Sequence, residues 1–576
     1  MTRLAVNSAA VCLAAVLATN LWATDPASPE TSPAPSAADI AKLKAKLEEQ
    51  QKEVEKLRAE LAAQLKMLEQ AGASSSPSAP SEAAAAPADP AGIPERKPYV
   101  GQLTASRVPM VQPAPTATPF PVTPSPRAPL STASPQPGPP DSPLQLKIGE
   151  STMTPLGFMD MTAVFRTAAT NFGIGTNFGS LPFNNSFPLA RLTETRLNPQ
   201  NSRFGMRFDT KVHGANVTGY WESDFLGGSA SNNLSVSSNS WVFRMRLYWV
   251  DVRKDKWEFL AGQSWSLMTP GRNGISPLPA DLFYTQDIDV NYNVGLTWGR
   301  IPGFRFVYHP SNTVAFGLAA ENADQYFGGS AGGGSPTLPA GLPATFVNQL
   351  DNATNSFQTP NLIPDIIGKI AFDPKTKDTH QHIEVYGVHR EFKTYNQNNN
   401  EHYTQSAGGG GINFNFEPVK NFHLIANTFF SDGGGRYLFG TIPDLAIRPD
   451  GSISPIHADS FLGGFEYTHK NTLLYGYFGE YYGGKDAIVD TNGKFVGYGF
   501  PGSPNSNNRS IQEPTVGMTQ TLWKDPRWGG LYLMFQYSWI NRYPWAVLSG
   551  QPKDAHNSTI FFNLRYALPG NGPAWK

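Results

Sequence analysis

Ser202–Asp209 reads SRFGMRFD, with Phe204, Met206 and Phe208 on one parity and Arg203, Arg207 and Asp209 on the other. Strand side chains alternate between faces, so this run has one apolar and one charged side. The pattern recurs three more times before Trp265. In Asn216–Phe225, Val217, Trp221 and Phe225 oppose Tyr220, Glu222 and Asp224. In Val242–Val250, Phe243, Met245, Leu247 and Trp249 oppose Arg244, Arg246 and Tyr248, and Trp257, Phe259 and Ala261 resume after the turn at Lys254–Lys256. A soluble sandwich also alternates, but it seldom sets so many consecutive aromatics against a charged face. Lipid on one side and water on the other call for this arrangement, at about ten residues per crossing. The stretch reads as part of a transmembrane barrel wall.

Beyond Leu144 such runs are joined by connections that are by turns long and short, as in barrels with short periplasmic turns and long outer loops. Sixteen are counted, from Gly157–Arg166 to Ser558–Leu568. The sixth, Asn293–Tyr308, is kept whole with a bulge at Pro302–Gly303, which turns Leu296, Trp298, Phe304, Phe306 and Tyr308 outward. The expected fold class is all-β, a 16-stranded antiparallel transmembrane β-barrel over residues 144–569 with residues 570–576 as a tail. That strand number leaves an aqueous channel.

The N-terminal part is of another kind. Residues 1–23 have Arg3, an apolar run from Leu4 to Leu21 and small residues near Ala18 and Ala23, the pattern of a signal peptide. The single cysteine, Cys12, falls inside it, so the mature chain has none, which suits an envelope protein. Residues 38–71 carry heptads with Ile40, Leu43, Leu47, Val54, Leu57, Leu61 and Leu68 at core positions and Gln50 and Gln64 between them, an expected periplasmic α-helical coiled coil. Residues 72–143 are Pro, Ala and Ser with few large apolar side chains; they cannot bury enough surface to offset chain entropy and read as a disordered linker. No other stretch reaches about 18 apolar residues, the length of a membrane-spanning helix. With 45 Lys+Arg against 46 Asp+Glu, nothing points to nucleic acid.

Five segments, SRFGMRFDT, YWESDFLG, FRMRLYWVDVRKDKWEFLAGQSWS, PDIIGKIAFD and SDGGGRYLFG, stand in this order behind the coiled coil and the Pro-rich stretch. Together they resemble the DcaP-like porins. The resemblance covers most of Leu144–Leu568, and AGQSW and GGGRYL are its most specific parts. It implies a trimeric outer-membrane channel with a periplasmic coiled coil, serving small anions such as dicarboxylates. Two features depart from it. Gly173–Leu192 is unlike the family's first loop, and Pro569–Lys576 trails beyond the closing-strand residues Ile560, Phe562, Leu564 and Tyr566.

The long connection Ser266–Asn291 follows the fifth strand, where porin-like barrels fold a loop inward. It carries Arg272, Asp281, Asp287 and Asp289 as candidate constriction residues. The candidate pore-lining set is Arg203, Arg207, Arg244, Arg246 and Arg305 with Glu222 and Asp224. These form either a cationic ladder facing acidic loop residues, with a transverse field that draws anions, or a structural ion-pair lattice that also takes in Glu258; both can hold at once. His380, His382 and Glu384 share a strand face and read as polar surface near a turn rather than metal ligands. Gly262–Ser266 lacks the final Gly of a nucleophile elbow, and Gly173, Gly175 and Gly179 miss the dinucleotide spacing. The expected function is a passive diffusion channel for small hydrophilic solutes, with no cofactor, no metal and no catalytic residues. Its expected partners are the outer-membrane bilayer and two further copies of the chain, with peptidoglycan as a candidate for the coiled coil. The competing expectation is an envelope anchor or adhesin that uses the barrel only to hold the membrane.

Overall fold

The alternating runs fold as strands: β1 (Ser151–Arg166), β2 (Arg203–Val212), β3 (Ala215–Asp224), β4 (Arg244–Lys254), β5 (Trp257–Trp265), β6 (Arg300–Tyr308), β7 (Val314–Glu321) and β8 (Asp365–Phe372). The second half is β9 (Gln381–Asn396), β10 (Glu401–Val419), β11 (Phe422–Asp432), β12 (His457–His469), β13 (Thr472–Gly483), β14 (Asn508–Asp525), β15 (Gly529–Pro544) and β16 (Ala555–Ala567). This computed structural model describes residues 142–569 except 171–172, 184–187, 228–240, 283–284, 330–332, 353–358, 362, 375 and 548. The signal peptide, the coiled coil, the linker through residue 141 and the tail lie outside the described residues.

Each strand pairs antiparallel with the next, and β16 returns to β1 through Met161 opposite Leu564, so the sheet closes. Closure leaves no edge with unpaired backbone groups. Two short strands, Leu146–Ile148 and Glu194–Asn198, also pair on β1 and bring the sheet to 18. At one end of the barrel the turns are tight. His213 (φ 49°) and Gly214 (φ 82°), both left-handed, join β2 to β3, and Asp255 (φ 53°) begins the turn from β4 to β5. The outward face carries Phe204, Phe208, Phe259, Phe304, Phe316 and Phe465, an apolar belt.

Two expectations about facing are corrected. The sixth strand starts at Arg300, not Asn293: Leu296 is 0% exposed while Phe304 is 60% exposed. Gly295, at φ 91°, turns the chain into the interior, and Trp298 is buried there with Leu296. In β4 the register slips between Glu222 opposite Leu247 and Ser223 opposite Met245, which makes Arg246 the extra residue of a bulge. Arg246 and Leu247 therefore both face in, and parity inverts below them: Leu247 is 0% and Tyr248 62% exposed. The interior is accordingly part apolar. Leu247, Trp249, Leu260 and Val307 from the wall pack with Leu267, Met268, Val294 and Trp298 from the connection between β5 and β6.

Candidate functional site

The connection between β5 and β6, residues 266–299, crosses the lumen from wall to wall. Its first half is tied to neighbouring strands: Leu267 N donates to Glu321 on β7 (2.7 Å), Lys369 on β8 donates to Thr269 O (2.8 Å), and Gly271 N donates to Glu384 on β9 (3.1 Å). Arg272 then reaches Glu466 on β12 at 2.8 Å. The far half is held by Tyr477 on β13, whose hydroxyl accepts from Gln286 N (2.9 Å), and by Glu513 on β14, which accepts from Val294 N (2.8 Å). Thr297 N donates to Asn427 on β11 at 2.7 Å. Two glycines permit backbone to lie on backbone. A Cβ on Gly479 of β13 would sit 1.6 Å from Val294 O, and one on Gly295 would sit 1.9 Å from Phe461 O.

The structure places Arg203, Arg207, Arg244, Arg246 and Arg305 on the inner face, each engaged. Arg246 bridges Glu222 (2.7 Å) and Asp224 (3.0 Å), Arg203 reaches Glu222 at 3.0 Å, and Arg244 reaches Asp224 at 2.7 Å. Arg207 pairs with Asp209 at 2.7 Å, and Arg305 donates to Ser264 Oγ (3.4 Å) and to Trp265 O. Arg300, which the sequence reading missed, sits across the sheet from Trp265, with its guanidinium 5.5 Å from that ring; Arg246 approaches the same ring at 6.0 Å. Arg246 and Arg300 approach the Trp265 ring, Arg203 joins Arg246 on Glu222 and Arg244 joins it on Asp224, so among the described residues of this cluster four guanidinium groups meet two carboxylates.

The acidic loop residues are buried within their own surroundings. Asp281 accepts from Ser276 Oγ at 2.8 Å, and Asp289 accepts from Asn291 N (2.8 Å) and Thr176 N (3.1 Å), a residue of the connection after β1. Asp287 is buried against β13 and β14, and burial, then the charge of Asp289, holds its carboxyl well above the usual range. The histidine cluster is not polar surface. His382 is buried between Asp373 (2.9 Å) and Glu384 (3.3 Å), Lys369 pairs with Glu384 at 3.0 Å, and His380 Nε2 lies 2.9 Å from Arg272 O. The proximity to a short turn misled the reading, because the inward loop covers this face.

AGQSW and GGGRYL, far apart in sequence, are joined through Trp298 of the crossing loop. Trp265 contacts Trp298 with ring centroids 6.1 Å apart, and Trp298 contacts Phe439 at 5.6 Å, while Trp298 N donates to Tyr437 O. Arg436 and Tyr437 fasten the second segment to Asp365 on β8 at 3.4 and 2.8 Å.

No family model matches the sequence, and no curated protein matches it. Solved structures are similar. The outer-membrane channel DcaP of Acinetobacter baumannii aligns with 73% of this chain and 98% of its own, at 16% identity and a TM-score of 0.52. An anion-selective porin from Comamonas acidovorans aligns with 73% of this chain and 100% of its own, at 11% identity and a TM-score of 0.41. The sequence segments and the closed barrel thus converge on one conclusion: this chain has the fold of a DcaP-like porin.

Proposed function

We propose that the chain is a DcaP-like porin of the outer membrane: a homotrimeric passive diffusion channel for small hydrophilic solutes that prefers anions such as dicarboxylates. Residues 38–71 serve it as a periplasmic coiled coil, joined by the linker 72–143 to the barrel 144–569. The observation that carries the preference is the excess of guanidinium over carboxylate around Trp265, beside the loop that narrows the lumen. Inside low-dielectric walls a cluster with more guanidinium than carboxylate raises the local concentration of anions, and guanidinium matches a carboxylate with two parallel hydrogen bonds. The acids Asp281, Asp287 and Asp289 act in this proposal by positioning the loop, and Arg272 by bracing it on Glu466. Reversal potentials across a salt gradient in planar bilayers test it. Arg244→Ala with Arg246→Ala moves the reversal potential toward cations, most at low ionic strength where screening is weakest. Unchanged selectivity reduces the proposal to a general pore.

A further inference from the structure

Where the far half of the crossing loop meets the wall, three carboxyl groups come together: Asp287 and Asp289 from the loop and Glu513 from β14, all buried and close enough to repel one another. Among the described residues neither oxygen of Asp287 has a hydrogen-bond partner, and Glu513 has one oxygen in the same position; these atoms are closed off from solvent. The cation that acts on Asp289 is Arg166, which is itself paired with Glu194 at 2.9 Å. Other groups facing Asp287 are Thr285 and Asn293 from the loop, Tyr475 and Tyr477 from β13 and Glu466 from β12. Glu466 is neutralised by Arg272, and the nearby Gln536 of β15, which accepts from Ile288 N, carries no charge. Buried like charges without counter-charge are relieved by taking up protons, and such groups titrate as a unit.

We propose that protons held by Asp287, Asp289 and Glu513 latch the loop across the lumen, and that their loss with rising pH frees residues 285–299 from the wall. The effect on permeation rests on the channel function proposed above; the latch does not. Burial raises Asp287 and Asp289 in the seated loop, whereas a released loop returns its aspartates to ordinary values near 3.8. Seating is therefore firmest below that value and weakens as pH climbs to the raised value, above which both forms are ionised.

Hydrogen–deuterium exchange of the full-length protein in detergent tests the latch, read as protection factors corrected for intrinsic rate, with β14 and β15 as internal reference. From about pH 5 to about pH 9 protection of residues 285–299 falls by about tenfold or more while the strands hold. Asp287→Asn with Glu513→Gln leaves only Asp289, which faces Arg166, to titrate and keeps most of its protection; should the pair fail to fold, Asp287→Asn alone shows a reduced fall. A flat wild-type profile, or a folded variant as pH-sensitive as wild type, overturns the latch. Protection restored at high pH by sodium or calcium ions also overturns it, by assigning the cluster to a cation. The expected exchange profile in a protein that conducts at no pH supports the latch and overturns the channel.

Discussion

Arg246 shows how a single side chain decides the wall around it. As the extra residue of the β4 bulge it points inward beside Leu247, and it alone touches both Glu222 and Asp224. Arg246→Met strands part of that negative charge in a buried setting, and removing one partner of a buried ion pair typically costs about 3 to 5 kcal/mol. Arg196→Ala, which breaks a pair whose arginine is largely solvated, costs about 0 to 1 kcal/mol. Urea unfolding in detergent measures both, and equal losses would show that the lattice is not structural. Alternation made the inward placement of Arg203 and Arg207 legible, because β2 is regular. It could not show that Leu247 and Trp249 face in and Tyr248 faces out. A bulge adds one residue without altering composition, so the parity error begins at Leu247, just past Arg246, and runs down the strand.

In the proposed channel the crossing loop is the element on which permeation turns, and its seat depends on two absent methyl groups. Gly479→Ala sets a Cβ whose nearest neighbours, Val294 O first, all belong to the loop, so the barrel forms and the loop is displaced. Single-channel conductance then rises with unfolding temperature little changed; unaltered conductance would mean that the loop does not limit the pore. All sixteen strands could be read from sequence because each turns an apolar face out of the barrel. The end of the loop could not. Val294, Leu296 and Trp298 alternate in sequence like a strand, but Gly295 turns the chain between them and all three side chains are buried among protein. Likewise Arg300, Lys369, Glu466 and Glu513 have no distinguishing local pattern; their significance comes from the inward loop, which only the folded chain brings to them.

At the scale of the whole molecule, the expected trimer is checked by the mass of the intact detergent complex. Three copies are predicted, and replacing Leu47, Val54 and Leu61 by Asp removes the coiled-coil contacts while barrel contacts retain the trimer. A monomer or a dimer of the unaltered protein sinks this assembly. Within one copy, the seam between β1 and β16 introduces time into the fold. Asp160 accepts from Arg565 at 2.7 Å and from Asn563 at 2.8 Å, and the residues of that ion pair are separated by 405 positions. The carboxylate is synthesised early and its counter-charge among the last residues of the barrel. Until the last strand docks on the first, both charges are left to water, and closure exchanges that hydration for a buried pair. The Arg565–Asp160 pair forms only when the last strand meets the first, so its presence is a mark of closure.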